Sequence, residues 1–329
     1  MLMLLACATQ APSETPEGTI VEGEQAVLTV YSGRSEALVG PMLEDAEEAL
    51  DFSIEVQYGD TPELVTRMLT EGDESPADLI FAQDSGHLGA LAAAGRLDAL
   101  PEALLNQVNA AYRDPAGLWI GTSGRLRVLV VNRSLAVEDR PSSLKALADP
   151  AWKGKLGWAP GNGSFQCHVS ALRALWGEDE TRAWLEGVKA NEPTVYPKNS
   201  PQVEAAHNGE IQIGWVNHYY LHRLQTEGYQ AVNHSFEADD AGNVVMVAGA
   251  GLRKGNDNPD EGLALLEWLV GEEAQNRFAQ DNFEYPTRNG VAPHESVPAL
   301  DPETLADVDQ SALADLGPTR TLLQELGLQ

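Results

Sequence analysis

Basic residues are scarce in this chain of 329 residues: 21 Lys and Arg stand against 50 Asp and Glu, for a formal net charge of −29. So acidic a surface repels phosphodiester backbones and anionic lipid, which excludes nucleic-acid binding and basic membrane-surface patches. The acidic excess is scattered along the chain and reads as a solvated face. Cysteine is nearly missing, with Cys7 and Cys167 the two present, too few for a disulfide framework. No window of 18 uninterrupted apolar residues occurs, so no segment has the length and character of a spanning helix. A G-x-S-x-G elbow and a P-loop are both missing, and no nucleophile, base and orienting group come together in a motif. An enzyme is therefore not expected. The seven histidines are scattered, which argues against the His and Cys clusters that zinc or copper prefer.

What is present is an ordinary apolar fraction, 43%, in a chain long enough for two lobes. The first residues, "MLMLLACATQAPSETPEGTIVEGEQ", place a short apolar run before a polar Pro/Thr/Glu stretch. This order resembles the end of a bacterial lipoprotein signal with Cys7 as the lipidated residue, and residues 1–26 are expected to be a signal remnant and tether. Cys167 lies in the apolar helical run "SFQCHVSALRALW" and is expected to be a small buried hydrophobe.

From residue 27 strands and helices alternate. "AVLTVYSG", "FSIEVQYG" and "ADLIFA" read as strands, each followed by a helical pattern, which predicts a parallel, doubly wound α/β sheet. "RLRVLVVNRSL" is apolar enough for a strand buried on both faces. Further on come "SPQVEAAHNGE", a helix with a serine cap, "IQIGWV" and "NVVMVAGAGLRKG", both strands, and "DEGLALLEWLVGEEAQNRFAQD", read as one amphipathic helix. No linker divides the chain. That predicts lobes joined by crossing strands: 27–125 plus 247–290 for the first, 126–246 plus 291–329 for the second.

Ligands of open α/β sheets bind beyond the carboxyl ends of strands. At those ends stand Arg34 and Ser35, Gln83 and Asp84, Gly161 to Ser164, Asn199 and Ser200, and the run Asn217, His218, Tyr219, Tyr220; Arg125 opens the central strand in "GTSGRLR". Helix starts rich in Gly, Ser and Asn offer free N–H groups and a positive dipole end, and an arginine adds a bidentate oxyanion donor. Together they suit a small oxyanion. A phenol ionises at neutral pH only beside strong positive charge. Two adjacent phenols next to an oxyanion site therefore point to a trivalent hard cation. His218 is expected as a helix-cap neighbour, and His222 at the surface.

Eight blocks in one order resemble the bacterial periplasmic ferric-iron-binding proteins, solute receptors of iron ABC transporters: "LTVYSGRSEALV", "ADLIFAQDSG", "GTSGRLRVLVVN", "WKGKLGWAPGNGSF", "VYPKNSPQVEAAHNGE", "VNHYYLHRL", "VAGAGLRKG" and "EYPTRNGV". The resemblance implies a monomeric two-lobe periplasmic-binding-protein fold that closes on Fe(III) with a synergistic, carbonate-like anion. It also implies delivery to an ABC permease from the periplasm or cell surface, with membrane attachment only through a lipid. On this resemblance Tyr219 and Tyr220 match the iron ligands. Arg125, Asn162, Gly163, Ser164, Asn199 and Asn217 match the anion side. One branch of the family adds a histidine and a glutamate ligand where this chain has Ser35 and Gln83. Another pairs "Y-S-x-R", present here with Arg34, with further tyrosines, and the "APGNGSF" loop has none. The first lobe is therefore expected to give iron no protein ligand, with Arg34, Ser35, Gln83 and Asp84 as possible contacts. A same-fold receptor for an organic or phosphorylated anion is the alternative.

Overall fold

β-branched and aliphatic runs bounded by turn residues form the strands, and runs with helical spacing form the helices between them. The computed structural model describes residues 26–226, 228–308, 310–313 and 316–328; Cys7 and the leader lie outside them. The chain opens with β1 (Val27–Ser32), α1 (Glu36–Leu50), β2 (Ser53–Tyr58), α2 (Thr61–Glu71), β3 (Leu79–Ala82) and α3 (Ser85–Ala93). A short α4 (Glu102–Leu105) leads into the long β4 (Ile120–Asn132), followed by β5 (Leu156–Trp158), α5 (Gly163–Trp176) and α6 (Glu178–Ala190). Next come β6 (Thr194–Val195), α7 (Asn199–Asn208), β7 (Ile213–Asn217), α8 (Tyr219–Leu224), β8 (Ala231–His234) and β9 (Val245–Leu252). The last elements are α9 (Pro259–Leu269), α10 (Glu272–Gln280), β10 (Tyr285–Pro286) and α11 (Gly317–Glu325).

The α/β class holds, but the sheet is mixed rather than parallel. Strand order is β2-β1-β3-β9-β4-β7-β5-β6, with β8 and β10 pairing β4 off that path. Parallel pairs occur where crossover helices join the strands, β1 with β2 and β3, and β5 with β6 and β7. β9 arrives late in the chain with no such crossover and inserts antiparallel between β3 and β4. β4 is antiparallel to β7 and β8 as well.

β4 is buried at every position, as its apolar run predicts. It pairs β9 as far as Leu126↔Val245 and begins to pair β7 at Arg127↔Asn217. The exchange of neighbours falls between the two buried arginines of this strand. Ile120 of β4 and Ala250 and Leu252 of β9 belong to one apolar core with β1, α1 and α9. Leu129 and Val131 belong to a second core with α5, α6 and β7. In that second core Trp215 meets Phe165, His168 and Trp184 edge-on, with centroids at 4.7, 4.8 and 5.3 Å. These contacts fix β7 directly before the tyrosine pair.

Two local expectations change. The long helix over 260–281 is broken: α10 restarts at Gly271, whose backbone is extended (φ −66, ψ 161), and a Cβ there would lie 2.9 Å from the Trp268 carbonyl oxygen. The serine cap of α7 is not used; the helix begins at Asn199 after Lys198, and the Asn199 side chain turns inward to a buried guanidinium. Cys167 is buried as expected, and burial pushes its thiol well above the ordinary range.

Candidate metal- and anion-binding site

α8 starts immediately after β7, so the Trp215 anchor determines where its first residues stand. His218 is the N-cap position of α8, and its side chain binds backbone rather than capping. Its Nδ1 accepts from Leu126 N–H at 3.1 Å and its Nε2 donates to the Phe283 carbonyl at 2.7 Å. The ring also packs on Tyr285 with centroids at 4.5 Å. Burial is the main force holding this imidazole neutral, with its pKa pushed down to about 3. His218 thus ties together β4, α8 and the segment entering β10. His222, expected at the surface, is half-buried against Phe283, with ring centroids at 5.7 Å.

Tyr219 is 1% exposed, and its hydroxyl has no hydrogen-bond partner among the described residues. Tyr220, half-buried, stacks on it with centroids at 4.3 Å and 28° between planes. Neither phenol is a surface residue, and the two rings form one stacked pair. Burial first, then the neighbouring Tyr220 and Glu284, push the Tyr219 pKa well above its ordinary value, while Arg125 and Arg34 pull the other way. A buried phenol in this field loses its proton only to a stronger positive charge.

Arg125 is fully buried, and its Nε and Nη1 lack partners among the described residues. Two places along the strand stands Arg127, a residue the sequence reading missed. Its Nη1 donates to Asn217 Oδ1 at 2.9 Å and Asn199 Oδ1 at 3.3 Å, and its Nη2 to the Trp215 carbonyl at 2.8 Å. Burial lowers its pKa to about 9. The signal was available: arginines at period two in an otherwise apolar strand share one face.

Asn162 caps α5, its Oδ1 accepting from Ser164 N–H at 3.1 Å and from the Ser164 hydroxyl at 2.6 Å. Asn199 Nδ2 lies 3.4 Å from Asn162 Oδ1 and from Ser164 Oγ, and Asn217 Nδ2 lies 3.5 Å from Ser164 Oγ. Four of the six residues expected on the anion side thus form one network, assembled on Arg127 rather than on Arg125. Gly163 is the exposed first residue of α5.

The first-lobe candidates divide. Arg34 is buried in an ion pair with Glu284, Nη2 to Oε2 at 2.7 Å, and its Nη1 donates to Gln83 Oε1 at 3.3 Å. Ser35 is exposed at the start of α1 and makes no side-chain cap. Asp84 caps α3, accepting from His87 N–H at 3.1 Å and meeting His87 Nδ1 at 2.7 Å. Burial opposes the Asp84 charge, yet the His87 contacts, with Arg125 beyond, hold its pKa below the usual carboxylate value. Among the described residues no group of three or more His, Cys, Asp and Glu is placed to hold a metal.

Two antiparallel crossing strands, with a polar, arginine-lined site at their point of exchange, define a solute-receptor architecture. The chain belongs to the bacterial extracellular solute-binding protein family, whose model matches residues 74–315. It is 30% identical to the Fe(3+)-binding periplasmic protein of Serratia marcescens over 99% of this chain and 95% of that protein. Against the major ferric iron-binding protein of Neisseria meningitidis serogroup B the identity is 29%, over 92% and 93% of the two chains. The crystal structure of iron-bound HitA from Pseudomonas aeruginosa superposes with a TM-score of 0.87 at 29% identity, covering 92% of this chain and 99% of that one. The ferric-binding resemblance carried by the eight sequence blocks thus extends over the whole folded chain.

Proposed function

We propose that this chain is an extracytoplasmic receptor for Fe(III), which it holds through Tyr219 and Tyr220 together with a small carbonate-like anion and delivers to an ABC permease. The observation that carries this reading is the buried Tyr219 hydroxyl, unpartnered among the described residues, stacked beside a second phenol and within the field of Arg125. Relatives named for ferric binding over nearly the whole chain support it. No reaction is required of the site; it needs only to bind and release.

Arg125, with two buried N–H-bearing nitrogens free among the described residues, supplies the bidentate donor for the anion. Asn199, Asn217, Ser164 and the start of α5 form its polar wall. The lobes are 27–125 plus 247–290 and 126–246 plus 291–329, with β4 and β9 as the crossing strands that flex. Ligand binds the closed arrangement better and shifts the population toward it. The receptor acts as a monomer in the periplasm or at the cell surface, tethered there through Cys7.

The test is loading with ferric citrate in bicarbonate, followed by a metal assay and an absorption spectrum. A visible phenolate-to-iron charge-transfer band with one iron per chain is the expected result; colourless, iron-free protein refutes the reading. Phosphate esters and dicarboxylates in a thermal-shift panel test the organic-anion alternative. Arg125→Met is expected to lose one charged hydrogen-bonding partner of the anion, about 1.5–3 kcal/mol, or roughly ten- to hundredfold in iron affinity. It is also expected to flatten the bicarbonate dependence of loading, which a titration of bicarbonate at fixed iron measures.

A further inference from the structure

Glu284 brings a buried negative charge to the tyrosines from a distant part of the chain. It is fully buried between Phe283 and Tyr285. Both neighbours touch His218, the residue before Tyr219: the Phe283 carbonyl through a 2.7 Å hydrogen bond and the Tyr285 ring at 4.5 Å. The Glu284 carboxylate is close enough to Tyr219 for its charge to act on the phenol. Its Oε2 is held by Arg34 at 2.7 Å, while Oε1 is buried with no partner among the described residues. Gln83 accepts from the other Arg34 nitrogen at 3.3 Å, so the guanidinium is braced from behind.

A bare carboxylate oxygen in the interior costs more than the roughly 1–3 kcal/mol of an unsatisfied neutral group. A bare phenol oxygen lies in the same neighbourhood. Neither oxygen has a partner among the described residues, and one hard cation between them satisfies both. We propose that Glu284 is a third protein ligand of the ferric cargo, binding through Oε1, with Arg34 as the positioning residue that fixes the carboxylate. This rests on the ferric reading above and changes its account of the first lobe. The carboxylate is supplied not from the loop after β3, where Gln83 stands, but from the segment before β10. Gln83 serves instead to steady the arginine that holds it. Three anionic oxygens then face a triply charged ion, and Arg125 is left to the exogenous anion.

The test compares Glu284→Gln with the wild-type protein, each loaded with ferric citrate and bicarbonate. A paired variant, Arg34→Gln with Glu284→Gln, leaves neither side chain charged and keeps the interior electrically balanced should the single substitution fold poorly. Iron affinity, measured by competition with a chelator, is expected to fall on the order of 100-fold in whichever variant folds. The charge-transfer band is expected to move to longer wavelength, because iron that loses an anionic donor becomes the stronger electron acceptor. A purely structural role for Glu284 does not move the band. An unshifted band in a folded variant overturns the assignment, whether or not affinity falls. Wild-type protein that takes up no iron overturns the ferric reading and this assignment together.

Discussion

Exchanging both Tyr219 and Tyr220 for phenylalanine is expected to abolish the visible band and lower iron affinity by about 10⁴-fold or more. The magnitude follows from removing two anionic partners of a buried cation, each worth about 3–5 kcal/mol when one side of a buried charge pair is lost. The same substitution is expected to leave the iron-free protein at least as stable as wild type. Tyr219 Oη is buried and makes no hydrogen bond among the described residues. Deleting such a hydroxyl therefore removes a desolvation cost of about 1–3 kcal/mol without breaking a bond. The ring stacking at 4.3 Å survives, since phenylalanine keeps the aromatic face. The two readouts move in opposite directions, which separates loss of a ligand from loss of the fold. A double variant that still loads one iron with an unchanged band removes the phenols from the binding account.

Legibility in the sequence followed the range of the interactions. The tyrosine pair after an apolar strand, the Asn162–Ser164 helix start and the serine-glycine setting of Arg125 are local patterns, and the structure places each of them near the exchange point of β4. Strand positions were also local: β1 and β3 fall where the apolar runs put them, while β4 starts at Ile120, five residues before the expected opening at Arg125, because the Gly121–Gly124 stretch also pairs β9. The mixed sheet was not readable, because nothing within β9 records that it will insert between β3 and β4. Arg127 is legible by its spacing from Arg125, which puts it on the same face, and a second buried arginine in one strand demands acceptors, which Asn199 and Asn217 provide. Glu284 was not readable as a partner of Arg34, since 250 positions separate the two. A lone acidic residue between two aromatics could as well have been a solvated turn. Burial decides the question, and burial of this kind is a product of the whole fold.

Acid is expected to destabilise the iron-free protein well before carboxylates begin to protonate. His168 and His218 are buried, and desolvation pushes both imidazoles from an ordinary value of 6.5 down to about 3. Arg127 adds to the effect at His168, whose Nε2 donates to the Ala241 carbonyl at 2.7 Å while Nδ1 is without a partner among the described residues. A proton arriving at either ring has no acceptor waiting for it in the folded state. The unfolded chain, by contrast, binds that proton as soon as pH falls below about 6.5. Unfolding then takes up protons, so stability is full above this value and declines as pH drops through the interval between 6.5 and 3. Each imidazole contributes a loss of about 2 kcal/mol between pH 7 and pH 5, and the two together roughly 4 kcal/mol. For a receptor this matters at the site itself, because His218 is the clip that joins Leu126, the start of α8 and Phe283. Urea unfolding of the iron-free protein at pH 7, 6 and 5 measures the slope. Substituting His168→Gln, which retains an N–H donor for Ala241 but no titrating nitrogen, is expected to reduce it by the His168 share, while His218 and the also depressed His222 and His234 keep theirs. An equal slope in that variant would place the acid sensitivity elsewhere.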